Sequence, residues 1–138
     1  MESRTNAFPK SQRLCSRYLI DRLFEPGKSR SLSAYPVRLV YRIDKGDETQ
    51  LLISVPKRCF KHAVDRNRVK RQVREAYRRN RELLQLPEGR VAQLAMIWLD
   101  GQHHPTDVVE AKVKNLLVRA SENLRAVYSD ASNVNKAD

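Results

Sequence analysis

The residues of this 138-residue chain that could do acid–base, nucleophilic or metal chemistry are three histidines, two cysteines and sixteen carboxylates, and they are poorly grouped. A metal-dependent phosphodiesterase needs clustered carboxylates that hold divalent ions about 3.5–4 Å apart. Asp65 and Glu75 are separated along the chain and fall on different sides of any helix that joins them. Asp44, Asp47 and Glu48 share a turn-like stretch, where acids are ordinarily solvated. A metal-free ribonuclease would want two histidines, or a histidine and a lysine, as acid and base. His103-His104 is the one histidine pair, adjacent in a polar loop where the side chains diverge, and His62 has no evident partner. Cys15 and Cys59 make no CxxC pattern and no zinc spacing, which leaves two ordinary buried or half-buried thiols. No Gly-rich phosphate loop and no nucleophile elbow is present. The pattern is that of a binder, with no catalytic or metal-ligating residues of its own.

What the chain has in abundance is positive charge. Of a formal net charge of +11, most lies between Lys57 and Arg81, where eleven Lys/Arg face two acids. Val69, Val73, Ala76, Tyr77 and Leu84 recur at three- and four-residue spacing, which predicts a helix. At about 100° per residue the apolar set takes one side. Asn67, Lys70, Arg71, Arg74, Arg78 and Arg81 take the other, with Asp65 in N-cap or first-turn position. Solvated helix faces normally mix signs, with acids placed four residues before bases. A face this purely basic and rich in Arg, which grips phosphate in bidentate fashion, points to a polyanion.

The stretch Phe60-x-x-Ala63-x-x-Arg66-Asn67-Arg68-Val69-Lys70-Arg71-x-Val73-Arg74 resembles the signature of the protein subunit of bacterial ribonuclease P. Order and spacing elsewhere extend the resemblance over roughly residues 8 to 128. It implies a subunit that binds a large catalytic RNA, the RNA itself removing the 5′ leader of precursor tRNA with magnesium ions. No cofactor is then expected on the protein. It also implies two surfaces. One, for the catalytic RNA, maps onto Arg66, Asn67, Arg68, Lys70, Arg71 and Arg74, with Lys57 and Arg58 beside them. The other, for the single-stranded leader, lies between the first helix and a sheet face. There Phe24 matches an aromatic position, Ile20 matches another at which this chain is aliphatic, and Arg38 contributes through phosphate.

The elements that must position these residues can be read in order. Residues 1–10 are expected to be a disordered leader, 11–128 a single domain and 129–138 a frayed tail. Ser11 caps a first helix to about residue 24, stopped by Pro26-Gly27. Ser29–Ala34, with three serines, reads as a loop. Tyr35–Ile43 alternates, with Pro36, Arg38, Val40 and Arg42 forming a basic face. Leu51–Val55 is a continuous apolar run, predicted to be a central strand and the antiparallel hairpin partner of the first. Val91–Leu99 is a third strand, apolar on both faces. Asp107 and Glu110 make a capping-box pattern for a last helix ending near Tyr128. The order α-β-β-α-β-α predicts an α+β sandwich with a small mixed sheet. A β-α-β unit is generally right-handed; the resemblance implies the rare left-handed crossover.

Other classes fare worse. No apolar run approaches the roughly 18 residues of a membrane span, and Met1–Lys10 has no apolar signal core. A cytoplasmic protein with no membrane and no DNA partner is therefore expected. A DNA-binding regulator would want a helix-turn-helix or another base-reading module. A ribosomal or architectural RNA-binding protein is the alternative, and binding of the precursor-tRNA leader separates the two.

Overall fold

The computed structural model describes residues 10–25, 27 and 29–137; the expected leader, apart from Lys10, lies outside them. The first helix, α1 (Arg17–Leu23), is shorter than Ser11 predicts. Its cap is Ser16, whose Oγ accepts from the Leu19 amide at 3.4 Å. Upstream, Lys10–Gln12 form a single 3-10 turn, and Arg13 and Leu14 are extended because they are tied to a sheet edge. The Leu14 amide donates to the carbonyl of Leu51 at 2.9 Å.

Four strands follow: β1 (Arg30–Ala34), β2 (Val37–Lys45), β3 (Gln50–Ser54) and β4 (Arg90–Trp98), in the sheet order β1-β2-β4-β3. The long helix α2 (Ala63–Asn80) connects β3 to β4, and α3 (Thr106–Ala137) closes the chain. Beside the expected α-β-β-α-β-α there is thus one more strand. The serine-rich segment predicted to be a loop is β1, an edge strand paired antiparallel with β2 from Arg30↔Tyr41 to Ala34↔Val37. Being at an edge, it needs few apolar residues, and only Leu32 and Ala34 pack on the core.

The predicted hairpin between β2 and β3 does not form. β4 lies between them, antiparallel to β2 and parallel to β3. Residues 46–49 therefore bridge two strand spacings, about 10 Å. Gly46 passes so close to the sheet that a Cβ there would meet Val91 Cγ2 at 2.9 Å. β3 is accordingly an edge strand, not a central one. The central place goes to β4, the strand most completely covered on both faces. Ala92, Leu94, Met96 and Trp98 face α2 and α3, and Ala95 and Ile97 face α1.

The larger core lies between the sheet and α2 and α3, where Val69, Val73, Val109, Val113, Leu116 and Leu117 meet Leu39, Tyr41 and Leu94. A smaller cluster of Leu14, Leu23, Val40 and Ala95 holds α1 on the opposite face. The capping box expected at Asp107 and Glu110 is not used. Val109 donates to the Pro105 carbonyl at 3.0 Å, so the helix begins a residue before Asp107. Glu110 instead reaches α2, accepting from Asn80 Nδ2 at 3.2 Å and lying 3.7 Å from the Arg79 guanidinium. The backbone of α3 runs on to Ala137 rather than stopping near Tyr128.

Leu94 is fully buried at the centre of the sheet and Val64 is 78% exposed on α2. Leu94→Ala should cost about 2–5 kcal/mol in denaturant unfolding, and Val64→Ala less than about 0.5 kcal/mol. Equal costs would contradict the arrangement of α2 described here.

Candidate nucleic-acid interface

Helix α2 buries Val69, Val73, Ala76, Tyr77 and Asn80 against the sheet and α3. Burial pushes the Tyr77 phenol up to about 12. The opposite side carries Asn67, Lys70, Arg71 and Arg74, with Asn67 and Arg71 exposed and Lys70 and Arg74 half-exposed. Arg68 is exposed on the flank toward α3, one turn before Gln72, whose Nε2 donates to the His104 carbonyl at 3.1 Å. Lys57 and Arg58, in the connection that leads into the helix, are exposed as well.

Both acids of the basic window are already occupied. Asp65, in the first turn, receives His103 Nε2 at 3.0 Å, and the His103 ring stacks on Phe60 with centroids 4.6 Å apart. Glu75 is held by Arg78 through two hydrogen bonds, which keep its carboxyl below the usual range. Among the described residues no carboxylate pairs with Lys57, Arg58, Arg68, Lys70, Arg71 or Arg74. The Arg74 guanidinium is correspondingly pulled below its ordinary value, by partial burial first and then by the charges of Arg13 and Arg71. The free cationic stripe ends at Arg74, because Arg78 is tied to Glu75 and Arg81 Nη1 donates to Gln12 Oε1 at 2.6 Å.

Arg66 has a structural task that spacing did not reveal. Its Nη1 donates to the carbonyls of Phe60 and Lys61, at 2.8 and 2.9 Å. It thereby fastens the connection bearing Lys57 and Arg58 to the helix. The histidine pair does diverge: His103 goes to Asp65, and His104 Nε2 meets Asp100 Oδ2 at 2.7 Å. His104 is the chief cause of the depressed Asp100 carboxyl. Cys15 is exposed rather than buried, while Cys59 is half-buried with its thiol 3.6 Å from the Trp98 carbonyl; both are free. No group of three or more His, Cys, Asp or Glu that could hold a metal ion occurs among the described residues.

On the other face of the sheet, Phe24 and Arg38 come together. They line an open groove of about 190 Å³ with Leu23, Glu25, Gly27, Ser29, Arg30, Ser31 and Val40. Phe24 caps α1 and is 46% exposed, and Arg38 Nε donates to Ser31 Oγ at 2.8 Å. Ile20 is not in the lining; it packs half-buried on the small apolar cluster under α1. Arg42, on the same basic face, is engaged with Glu25 at 3.8 Å and with the Arg22 carbonyl at 3.4 Å. Arg30 and Ser31 were not legible as groove residues, because the segment that holds them reads as a loop.

Comparison with known proteins agrees with this architecture. The family model described as Ribonuclease P matches residues 8–121. The ribonuclease P protein component of Porphyromonas gingivalis strain W83 is 37% identical over 126 residues, spanning 87% of this chain and 90% of that protein. That of Thioalkalivibrio sulfidiphilus is 39% identical over 77 residues, 56% of this chain and 62% of that one. The solved ribonuclease P protein from Thermotoga maritima superposes with a TM-score of 0.61 at 27% identity, covering 78% of this chain and 96% of its own. A Staphylococcus aureus ribonuclease P protein shares the fold, with a TM-score of 0.64 over 80% of this chain and 96% of its own, at 20% identity. The chain belongs to the ribonuclease P protein family, and with it to tRNA processing as the protein component of a ribonucleoprotein.

The two kinds of arginine on α2 should behave differently. Arg66→Ala should lower unfolding free energy by about 1 kcal/mol, since it removes two charge-assisted hydrogen bonds at a partly exposed site. Arg71→Ala should change it by less than about 0.5 kcal/mol. Urea unfolding of the two variants checks this, and a larger loss for Arg71→Ala would reverse the assignment.

Proposed function

We propose that this protein binds the catalytic RNA of ribonuclease P along the outer face of α2 and the single-stranded 5′ leader of precursor tRNA in the groove beside α1. The cut itself is made by the RNA. The observation that carries the reading is the stripe of Asn67, Lys70, Arg71 and Arg74 with Lys57 and Arg58 beside it, whose neighbouring acids are both occupied elsewhere. Cations left without partners repel one another in the free protein. An RNA backbone relieves that repulsion and gains further from counterion release.

The groove suits a different ligand. Single-stranded RNA binds with little sequence preference where an aromatic face offers stacking, worth about 1–3 kcal/mol per base, and a cation meets the phosphate. Phe24 and Arg38 supply one of each in the same opening. This tethering of the leader explains how a protein could favour precursor over mature tRNA and broaden the range of substrates. Magnesium is assigned to the RNA, and the protein is assigned no cofactor. We assign its work to the cytoplasm and to RNA partners rather than to DNA; among the described residues no helix is long and apolar enough to cross a membrane.

The test is reconstitution. RNA-free protein should leave precursor tRNA intact, and with catalytic RNA it should lower the magnesium needed for cleavage. Combining Phe24→Ala with Arg38→Ala should reduce the preference of the holoenzyme for precursor over mature tRNA while affinity for the catalytic RNA stays within about twofold. Cleavage by rigorously RNA-free protein would contradict the reading. Equal loss on both tRNAs would remove the leader from the groove.

A further inference from the structure

The basic surface described above comes from one helix and the loop before it, but the fold delivers a further arginine to it from the start of the chain. Leu14 is buried in the small cluster under α1. Arg13 precedes it in an extended segment, so its side chain points to the opposite face of the sheet. The bridge between Arg13 and Leu51 says the same, because bridged residues share a face and Leu51 belongs to the core beneath α2. Arg13 therefore stands at the outer edge of β3 on the side of the basic helix, and it is exposed.

Its place is fixed from several directions. The Leu14 amide donates to the Leu51 carbonyl at 2.9 Å, and Gln50 Nε2 donates to the Ser11 carbonyl at 3.0 Å. Arg81 Nη1 donates to Gln12 Oε1 at 2.6 Å, which ties the same segment to the end of the basic window. Arg13 lies near enough to Arg74 for its charge to be felt there, together with that of Arg71. Arg13, held by the bridge to Leu51, and Arg71, on α2, thus both act on Arg74 from separate parts of the chain, and each is a planar fork matched to phosphate oxygens.

We infer that Arg13, Arg71 and Arg74 form one anion site at the β3 edge of α2, which takes backbone phosphate of the catalytic RNA. Arg13 is then a binding residue for that RNA and not part of the leader groove on the other face. The inference rests on the reading that α2 binds the catalytic RNA, and its test keeps the two apart.

The experiment measures affinity of the full chain for catalytic RNA against salt concentration, for the wild type and for Arg13→Ala, Arg13→Lys and Arg71→Ala. Arg13→Ala should weaken binding and reduce the slope of log affinity against log salt by about one, as a lost phosphate contact does. Arg71→Ala should do the same. Arg13→Lys should keep the slope, because the charge is retained, whatever Arg13 contributes to stability. The preference for precursor over mature tRNA should not change in any of them. A wild-type slope and affinity for Arg13→Ala, beside a loss for Arg71→Ala, would overturn this inference and leave the helix reading standing. Loss of precursor preference in Arg13→Ala with the slope intact would overturn it by moving Arg13 to the leader side. Silence of both alanine variants would overturn it together with the helix reading.

Discussion

Everything in this molecule depends on β4 being covered on both faces. A strand that is apolar on both sides must be enclosed between two layers, so it takes the middle of the sheet and separates β2 from β3. On one side it carries Leu94, Met96 and Trp98 against α2 and α3, and on the other Ala95 and Ile97 against α1. The two faces of one strand thereby support the two surfaces that the proposed function needs. The basic helix stands on one layer and the groove lined by Phe24 and Arg38 opens on the other, with the sheet between them.

That separation lets α2 tolerate its charge. A row of cations facing one way raises the energy of the isolated helix by like-charge repulsion. The burial of Val69, Val73, Ala76 and Tyr77 offsets it, and pins on both ends hold the helix in place. At the N-terminal end His103 meets Asp65, and Arg66 meets the carbonyls of Phe60 and Lys61. At the C-terminal end Asn80 and Arg79 meet Glu110, and Arg81 meets Gln12. None of these contacts uses Asn67, Lys70, Arg71 or Arg74, so the stripe is left to solvent.

How much of this could be read from the sequence follows from how local each feature is. The stripe on α2, the alternation along β2 and the doubly apolar β4 are periodic over single elements, and the structure agrees with them. Strand order is not local: the turn after Asp44 reads as a hairpin, and only the stronger claim of β4 to the centre separates β2 from β3. The segment Arg30–Ala34 escaped because an edge strand can be polar on most of its length. Ser11 was the wrong cap because pairing of Leu14 with Leu51 keeps the chain extended beyond it. Within the candidate sites, Phe24 and Arg38 line one groove, whereas Ile20 goes to the apolar cluster and Arg66 is held by the carbonyls of Phe60 and Lys61. Arg13 carried no local signal at all; only the bridge to β3 brings it to the helix.

The central claim is that opposite faces of one sheet hold two different RNAs. Site-specific cross-linking in the reconstituted holoenzyme tests it most directly, with a photoreactive amino acid replacing Asn67 in one preparation and Phe24 in the other. The account predicts that the probe at position 67 joins the catalytic RNA, and that the probe at position 24 joins precursor tRNA upstream of the cleavage site. Cross-links from both positions to the same RNA, or from position 24 to the mature part of the tRNA alone, would contradict it.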